Sequence, residues 1–223
     1  LAELRRKELE RSRQILGIQE VHFLNYRDSG MAGTEANTHP CCFAHATLEE
    51  AGSRLERIIR QEKPDIITCY NERGIYGHPD HIQVNRVTTY AFDRVGEAGF
   101  FSELGMPPWW PKKLYYQAIP LSRFKMLARV MEERGETFKY DPDFLGTSEE
   151  KITTKVDVRR YLDRKRAALR SHQSQVGPDS FFMHYPQDIQ EEILGYEYFV
   201  CVRNSIGPLP GPMAESSLFQ GLL

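Results

Sequence analysis

The stretch Asp65-Ile66-Ile67-Thr68-Cys69-Tyr70, followed by the loop Asn71-Glu72-Arg73-Gly74-Ile75-Tyr76-Gly77 and then His78-Pro79-Asp80-His81, decides the fold. Three β-branched residues, Ile66, Ile67 and Thr68, stand at the centre of the first segment, which suits a strand buried in a parallel sheet. Pro79 fits the first position of a helix, where its missing N–H costs nothing, and that makes His78 the N-cap. Behind it Ile82, Val84, Val87, Thr88, Ala91, Phe92 and Val95 form a stripe with a 3.6-residue period. Strand, polar loop and amphipathic helix make one unit of an open α/β sheet. In such sheets ligands bind outside the carboxyl ends of the strands, so the loop from Asn71 to Gly77 is the first place to look for chemistry.

The same alternation extends in both directions. Upstream, Thr47 and Glu50 read as a capping box opening a helix whose Leu48, Ala51, Leu55, Ile58 and Ile59 share a face, with Lys63-Pro64 as its stop. Residues 2–16 are rich in helix formers and end at Gly17. Glu20–Asn25 reads as a short strand, and 26–46 as loop. Downstream come a strand at 114–119, a helix with Phe124, Leu127, Ala128 and Met131 on one face, a polar excursion over 136–150, and a strand at 152–156. Asp157 then caps a helix running to about Gln175 with Val158, Tyr161, Leu162, Ala168 and Leu169 inward. A strand at 196–203 and a tail rich in Pro and Gly close the chain. The pattern predicts an α/β fold, a mostly parallel open sheet with helices on both faces, formed as a single domain over residues 1–223.

Composition narrows the function classes. The 223 residues carry 29 Lys+Arg against 31 Asp+Glu, a formal net charge of −2, which gives no basic footprint for nucleic acid. No apolar run approaches the roughly 20 residues needed to cross a bilayer, and no secretory signal opens the sequence, so a cytoplasmic protein without a membrane partner is expected. Cys41, Cys42, Cys69 and Cys201 form no Cys-x2-Cys pair, and reduced structural thiols are the expectation.

Two loops concentrate reactive groups. In the first, His78, Asp80 and His81 fall within four residues at a strand end and a helix start. A neutral imidazole at His81 suits zinc. Asp80 could fix the tautomer of a histidine and raise its basicity, and His78 could donate a proton or stabilise an oxyanion. The structural alternatives are that Asp80 complements the helix dipole and that His78 is only a cap. In the second loop, Tyr26 to Pro40, Arg27 and Asp28 could grip hydroxyl groups of a polar ligand, or Asp28-Ser29-Gly30 could be no more than a turn.

These residues resemble the zinc-dependent de-N-acetylases of the LmbE-like, or PIG-L, family. The likeness is strongest to the branch that deacetylates N-acetylglucosaminyl-inositol and to the related mycothiol S-conjugate amidases. The matching segments are Arg5-x-x-Glu8-Leu9, the run from Arg27 to Thr34, Tyr76-Gly77-His78-Pro79-Asp80-His81, Lys113-Leu114-Tyr115-Tyr116, Lys165 to Gln175, and Leu218-Phe219. The resemblance implies a Rossmann-like fold and hydrolysis of the acetamide of an N-acetylglucosamine conjugate, a small-molecule partner, with homo-oligomerisation left open. It implies a zinc cofactor, with Fe2+ as another candidate, and His81 as a metal ligand. His78 would be the general acid or oxyanion stabiliser, Asp80 the residue that tunes a histidine, and Tyr76 a mobile phenol near the substrate carbonyl. Arg5 and Asp28 would contact substrate hydroxyls, with His172 and Gln175 near the site on the late helix. His172 continues the Ala168/Leu169 face, where a lone histidine is more often a satisfied core residue. The family's Ala-His-Pro-Asp-Asp-Glu motif, which supplies two further ligands and the general base, is not found in this sequence, and His39-Pro40 leads into Cys41-Cys42 instead. The expectation is therefore a domain lacking its first strand, with an amidase-like hydrolase or a non-catalytic sugar-binding domain as the alternatives.

Overall fold

The computed structural model describes residues 1–97, 105–135, 137–138, 141–176 and 187–222. Its helices are α1 (Ala2–Leu16), α2 (Leu48–Glu62), α3 (Gly74–Gly77, one distorted turn), α4 (Pro79–Arg94), α5 (Leu121–Glu133), α6 (Pro142–Leu145), α7 (Leu162–Arg170) and α8 (Gln187–Leu194). Its strands are β1 (Ile66–Cys69), β2 (Lys113–Ala118), β3 (Thr154–Asp157) and β4 (Tyr196–Asn204). The chain divides into two compact units, Leu1–Phe23 with Val156–Glu197, and Leu24–Lys155 with Tyr198–Leu223.

In the first unit α1 packs on α7. Gly17, at φ 75°, ends α1 as expected: its N–H reaches the Gln14 carbonyl and that of Ile18 reaches Arg13. Glu8 is buried on the inner face of α1 and accepts the backbone N–H (2.7 Å) and hydroxyl (2.6 Å) of Ser174. Those bonds hold its carboxyl below the usual range. Two of the matched sequence segments, at Glu8 and at Ser174, thus meet through a carboxylate. The late helix is shorter than its sequence suggests. Asp157 ends β3 and does not cap the helix: its carboxylate accepts the Arg159 N–H at 3.0 Å, residues 159–161 form a 3-10 turn, and α7 starts after Tyr161 and ends at Arg170.

In the second unit Thr47 caps α2 by accepting the Glu50 N–H at 3.2 Å, one half of the expected capping box. The Glu50 carboxylate instead takes the Tyr26 hydroxyl and Arg54. His78 caps α4 as the Pro79 reading requires, its Nδ1 accepting the Asp80 N–H at 3.1 Å. The α4 stripe buries Val87, Thr88, Ala91 and Val95. Ala91 and Val95 close on Ile59 of α2, with Leu55, Ile67 and Trp109 around them; Val84 and Phe92 close on Cys69, Leu114 and Tyr116 of the sheet.

The strands run in the order β1-β2-β4-β3. β1 and β2 are parallel, Ile66 facing Lys113 and Cys69 facing Tyr116, which is the pairing that a strand–helix–strand crossover through α4 produces. The expectation of a mostly parallel sheet is met in that pair. β4 lies antiparallel to β2, with a bulge at Leu114/Tyr115, because its chain enters from the opposite end of the sheet. Two further expectations fail. Among the described residues β1 has a strand on one side only, and Ile66 and Ile67 are half-buried and Thr68 is exposed. Glu20–Asn25 is not a strand: no described segment supplies a ladder for it, and the only bridge nearby joins Arg27 to Cys42. The Leu24 carbonyl is taken by the Arg54 guanidinium at 2.5 Å.

A buried polar knot ties the C-terminal tail to the sheet. Lys113 Nζ donates to Glu215 (2.6 Å), to the Gln220 carbonyl (2.7 Å) and to the Tyr115 oxygen (3.1 Å). Glu215 also accepts the hydroxyls of Tyr115 (2.8 Å) and Thr154 (2.7 Å). Cys42, Cys69 and Cys201 are buried free thiols and Cys41 is an exposed one; burial pushes the Cys69 thiol up to about 12, an inert form. No helix among the described residues is long and apolar enough to cross a membrane.

Candidate active site

The two loops singled out in the sequence meet in the second unit. The buried Ser29 donates its backbone N–H to Asp80 Oδ2 at 3.1 Å, while its hydroxyl accepts the Ala44 N–H at 2.9 Å. Asp28 Oδ1 accepts the Gly30 N–H at 2.8 Å, so the turn reading of Asp28-Ser29-Gly30 holds and sets the carboxylate at the mouth of the site. One ligand atom each from Asp28, His78 and Asp80 lies within 4.8 Å of the other two. Gln83, on the first turns of α4, anchors the second loop by donating to the Ala46 carbonyl at 2.7 Å.

The histidines have distinct chemistry. His78 uses Nδ1 to accept the Asp80 backbone N–H, so the neutral ring carries its proton on Nε2 and offers a donor. His81 is the reverse. Its Nδ1 lies 3.3 Å from the Gly74 carbonyl, which can only accept, so Nδ1 carries the proton and Nε2 keeps a lone pair. Burial is the main force holding the His81 imidazole below its ordinary range, against the Gly74 carbonyl and Asp80, which favours the neutral form. Its ring stacks on Tyr70 with centroids 3.9 Å apart, and Tyr76 stands edge-on to it at 5.1 Å. Tyr76 is exposed and also faces the His78 ring edge-on at 6.1 Å.

A neutral imidazole whose Nδ1–H faces a backbone carbonyl is the form a metal-binding histidine takes, so His81 suits a ligand. A carboxylate oxygen, Asp80 Oδ1, is buried with no hydrogen-bond partner among the described residues. A catalytic zinc takes three protein ligands. Within this unit, the group of three that comes together is Asp28, His78 and Asp80, and there His78 presents an N–H rather than a lone pair. The described residues of this unit therefore supply one ligand nitrogen and do not make up a zinc set.

Tyr76, His78, Asp80, His81 and Asp28 are thus gathered in the second unit. Arg5, on α1, and His172, in the turn after α7, belong to the first. His172 closes that turn, its N–H on the Leu169 carbonyl and its own carbonyl taking the N–H groups of Gln175 and Val176. The sequence reading passed over Ser29, the stacking residue Tyr70 and Asn71. Of these only Asn71 carried a local signal, a side-chain acceptor just ahead of a glycine turn.

Comparison with known proteins identifies the family. The family described as PIG-L, GlcNAc-PI de-N-acetylase, matches residues 1–92, the part of the chain that holds both loops. A 1D-myo-inositol 2-acetamido-2-deoxy-alpha-D-glucopyranoside deacetylase of Nocardiopsis dassonvillei is 38% identical over all of this chain and 80% of its own length. The protein of the same name from Acidothermus cellulolyticus is 37% identical over 93% of this chain and 70% of its own. The crystal structure of the conserved protein TT1542 from Thermus thermophilus superposes with a TM-score of 0.58 over 93% of this chain and 77% of that one, at 17% identity, a likeness of fold. On the strength of these relatives, the chain belongs to the PIG-L family of de-N-acetylases.

Proposed function

We propose that this protein hydrolyses the acetamide of an N-acetylglucosamine conjugate, releasing acetate and the free amine, and that the conjugate is a glucosaminyl-inositol. The relatives named above carry that substrate in their names. The observation that carries the reading is the pair of opposed histidines at the carboxyl end of β1: a donor at His78 Nε2 beside a lone pair at His81 Nε2, with ring centroids 5.0 Å apart. Amide hydrolysis needs both a group that stabilises a developing oxyanion and a group that binds or activates the attacking side.

In this reading His78 donates a hydrogen bond from Nε2–H to the carbonyl oxygen as it gains charge and keeps its proton. Asp80, with an oxygen within 4.8 Å of the ring, is the carboxylate that orients and tunes it. Tyr76 closes over the acetyl group from its exposed position. Asp28, at the mouth, accepts from sugar hydroxyls; Arg5 and His172 are assigned substrate contacts on the resemblance alone. Zinc, the cofactor the family implies, would supply an activated water, and His81 would be one of its ligands. Among the described residues that is the one ligand nitrogen the site supplies. That shortfall is also what favours a second reading, a sugar-binding domain without turnover.

The deciding experiment is acetate release from a panel of N-acetylglucosamine conjugates by the natural gene product, with bound metal quantified. Release from the inositol glycoside, with His81→Ala lowering metal occupancy, supports the enzyme. Binding of the conjugates without any release supports the second reading.

A further inference from the structure

Asn71 stands at the carboxyl end of β1, is buried, and gathers the loop that follows it. Its side-chain oxygen accepts the N–H groups of Arg73 (3.2 Å) and Ile75 (3.0 Å), and its carbonyl accepts that of Gly74 (2.8 Å). The gathered turn is one the chain would not adopt freely. Ile75 has φ 65° and ψ −71°, close to the rare and strained γ-turn, and a positive φ is an outlier for any β-branched residue. Strain of this kind persists only where its surroundings over-determine it, and it collects at functional sites.

What the turn delivers is specific. A Cβ on Gly74 (φ 63°) would come within 2.8 Å of the His81 Cβ and the Ile82 nitrogen, so only glycine lets the loop approach α4 this closely. That approach places the Gly74 carbonyl 3.3 Å from His81 Nδ1, the contact that leaves Nε2 with its lone pair. Tyr76 leaves the strained residue directly and arrives edge-on to the His81 ring.

We propose that Asn71 is a positioning residue: its amide oxygen holds the Arg73–Ile75 turn in the strained form that aims the Gly74 carbonyl at His81 and sets Tyr76 beside it. The catalytic consequence rests on the deacetylase reading, and the geometric one does not. Asp at this position keeps an acceptor oxygen for both N–H groups, whereas Ala keeps none.

The test uses full-length protein with 15N-labelled histidine, purified without added metal, and long-range proton–nitrogen NMR at one fixed pH. Wild type and Asn71→Asp should show His81 protonated at Nδ1; Asn71→Ala should show a mixture of tautomers. With metal restored, Asn71→Ala should lower kcat for acetate release about a hundredfold with KM little changed, the size expected of a small misplacement, and Asn71→Asp should keep most of the activity. A His81 signal in Asn71→Ala identical to wild type overturns the proposal, as does an Asn71→Asp protein as impaired as the alanine variant. Should Asn71→Ala fail to fold, the double variant Asn71→Ala/Ile75→Gly decides, because glycine adopts the turn without being held there. Recovery of the fold and of a single His81 tautomer supports the proposal, and failure to recover them overturns it. If wild type releases no acetate, the deacetylase reading falls while the NMR comparison still settles the role of Asn71.

Discussion

Replacing Glu215 with Leu should destabilise the protein severely, and the reason lies in the company its carboxylate keeps. The Lys113 and Glu215 side chains are 2% and 5% exposed, so neither charge has water to fall back on. Of the three acceptors around Lys113 Nζ, the carboxylate is the only charged one; the Gln220 carbonyl and the Tyr115 oxygen are dipoles. Glu215→Leu strands a buried ammonium and takes the carboxylate acceptor from the hydroxyls of Tyr115 and Thr154 together. Breaking one side of such a pair costs about 3–5 kcal/mol. At about 2–4 °C per kcal/mol for a chain of this size, the melting temperature should fall by about 6–20 °C. Lys113→Met should cost a similar amount, because it leaves the carboxylate uncompensated. The double variant should recover most of the loss, since an apolar pair of similar volume is often neutral in place of a buried ion pair. Urea unfolding followed by circular dichroism on the four proteins reads the coupling directly. Amide exchange at Lys155 and Glu215, whose N–H groups bond the Glu215 and Thr153 carbonyls, reports whether the tail detaches first. Additive single-variant costs, or a Glu215→Leu cost below about 1 kcal/mol, would refute the view that the charges depend on each other.

Two further outcomes are expected. His78→Ala should lower acetate release by about 10²–10³-fold with metal content unchanged, since it removes one donor to the developing oxyanion; unimpaired turnover would exclude that role. Glu56 is fully buried on α2, neither carboxylate oxygen has a hydrogen-bond partner among the described residues, and burial raises its carboxyl from 4.5 to about 7 against the pull of Arg60 and Arg94. A carboxyl raised in the folded state holds its proton more tightly there. Its contribution to stability is therefore complete below about pH 4.5 and is lost as pH rises through 7, by roughly 3 kcal/mol in all. Glu56→Gln should leave the unfolding midpoint near pH 5 almost unchanged and raise it at pH 8; equal shifts at both would count against this assignment.

What could be read in the sequence was what its neighbours in sequence decide. Pro79 after a polar residue, a 3.6-residue apolar stripe and Gly17 after a run of helix formers are local signals, and the helix starts and stops they announce are where the structure has them. The crowding of His78, Asp80 and His81 was visible for the same reason. Glu20–Asn25 shows the limit, because extended sequence becomes a strand only when another backbone supplies a ladder. The direction of β4 and the edge position of β1 are likewise properties of the sheet. Ser29 meets Asp80 across 51 residues and Lys113 meets Glu215 across 102, so nothing in either neighbourhood announces its partner. Asn71 lies between the two cases: its acceptor ahead of Gly74 was legible as a turn, but the strained Ile75 it holds was not.

The same distinction resolves a choice that the sequence left open at His78, between a helix cap and a proton donor. Taken from residue types alone, the two are competitors, and a cap would make the histidine ordinary. In the structure they are one contact. Capping α4 commits Nδ1 as the acceptor of the Asp80 N–H, and a neutral imidazole with Nδ1 committed has only Nε2 on which to carry its proton. The cap is therefore the device that fixes the tautomer. Pro79 contributes by setting where the helix begins and hence which backbone N–H meets the ring. His81, three residues on, is set the opposite way by the carbonyl of a strained turn. The loop ends up with one imidazole that donates and one that can bind, a division of labour imposed by backbone groups rather than by the two side chains, which are chemically identical.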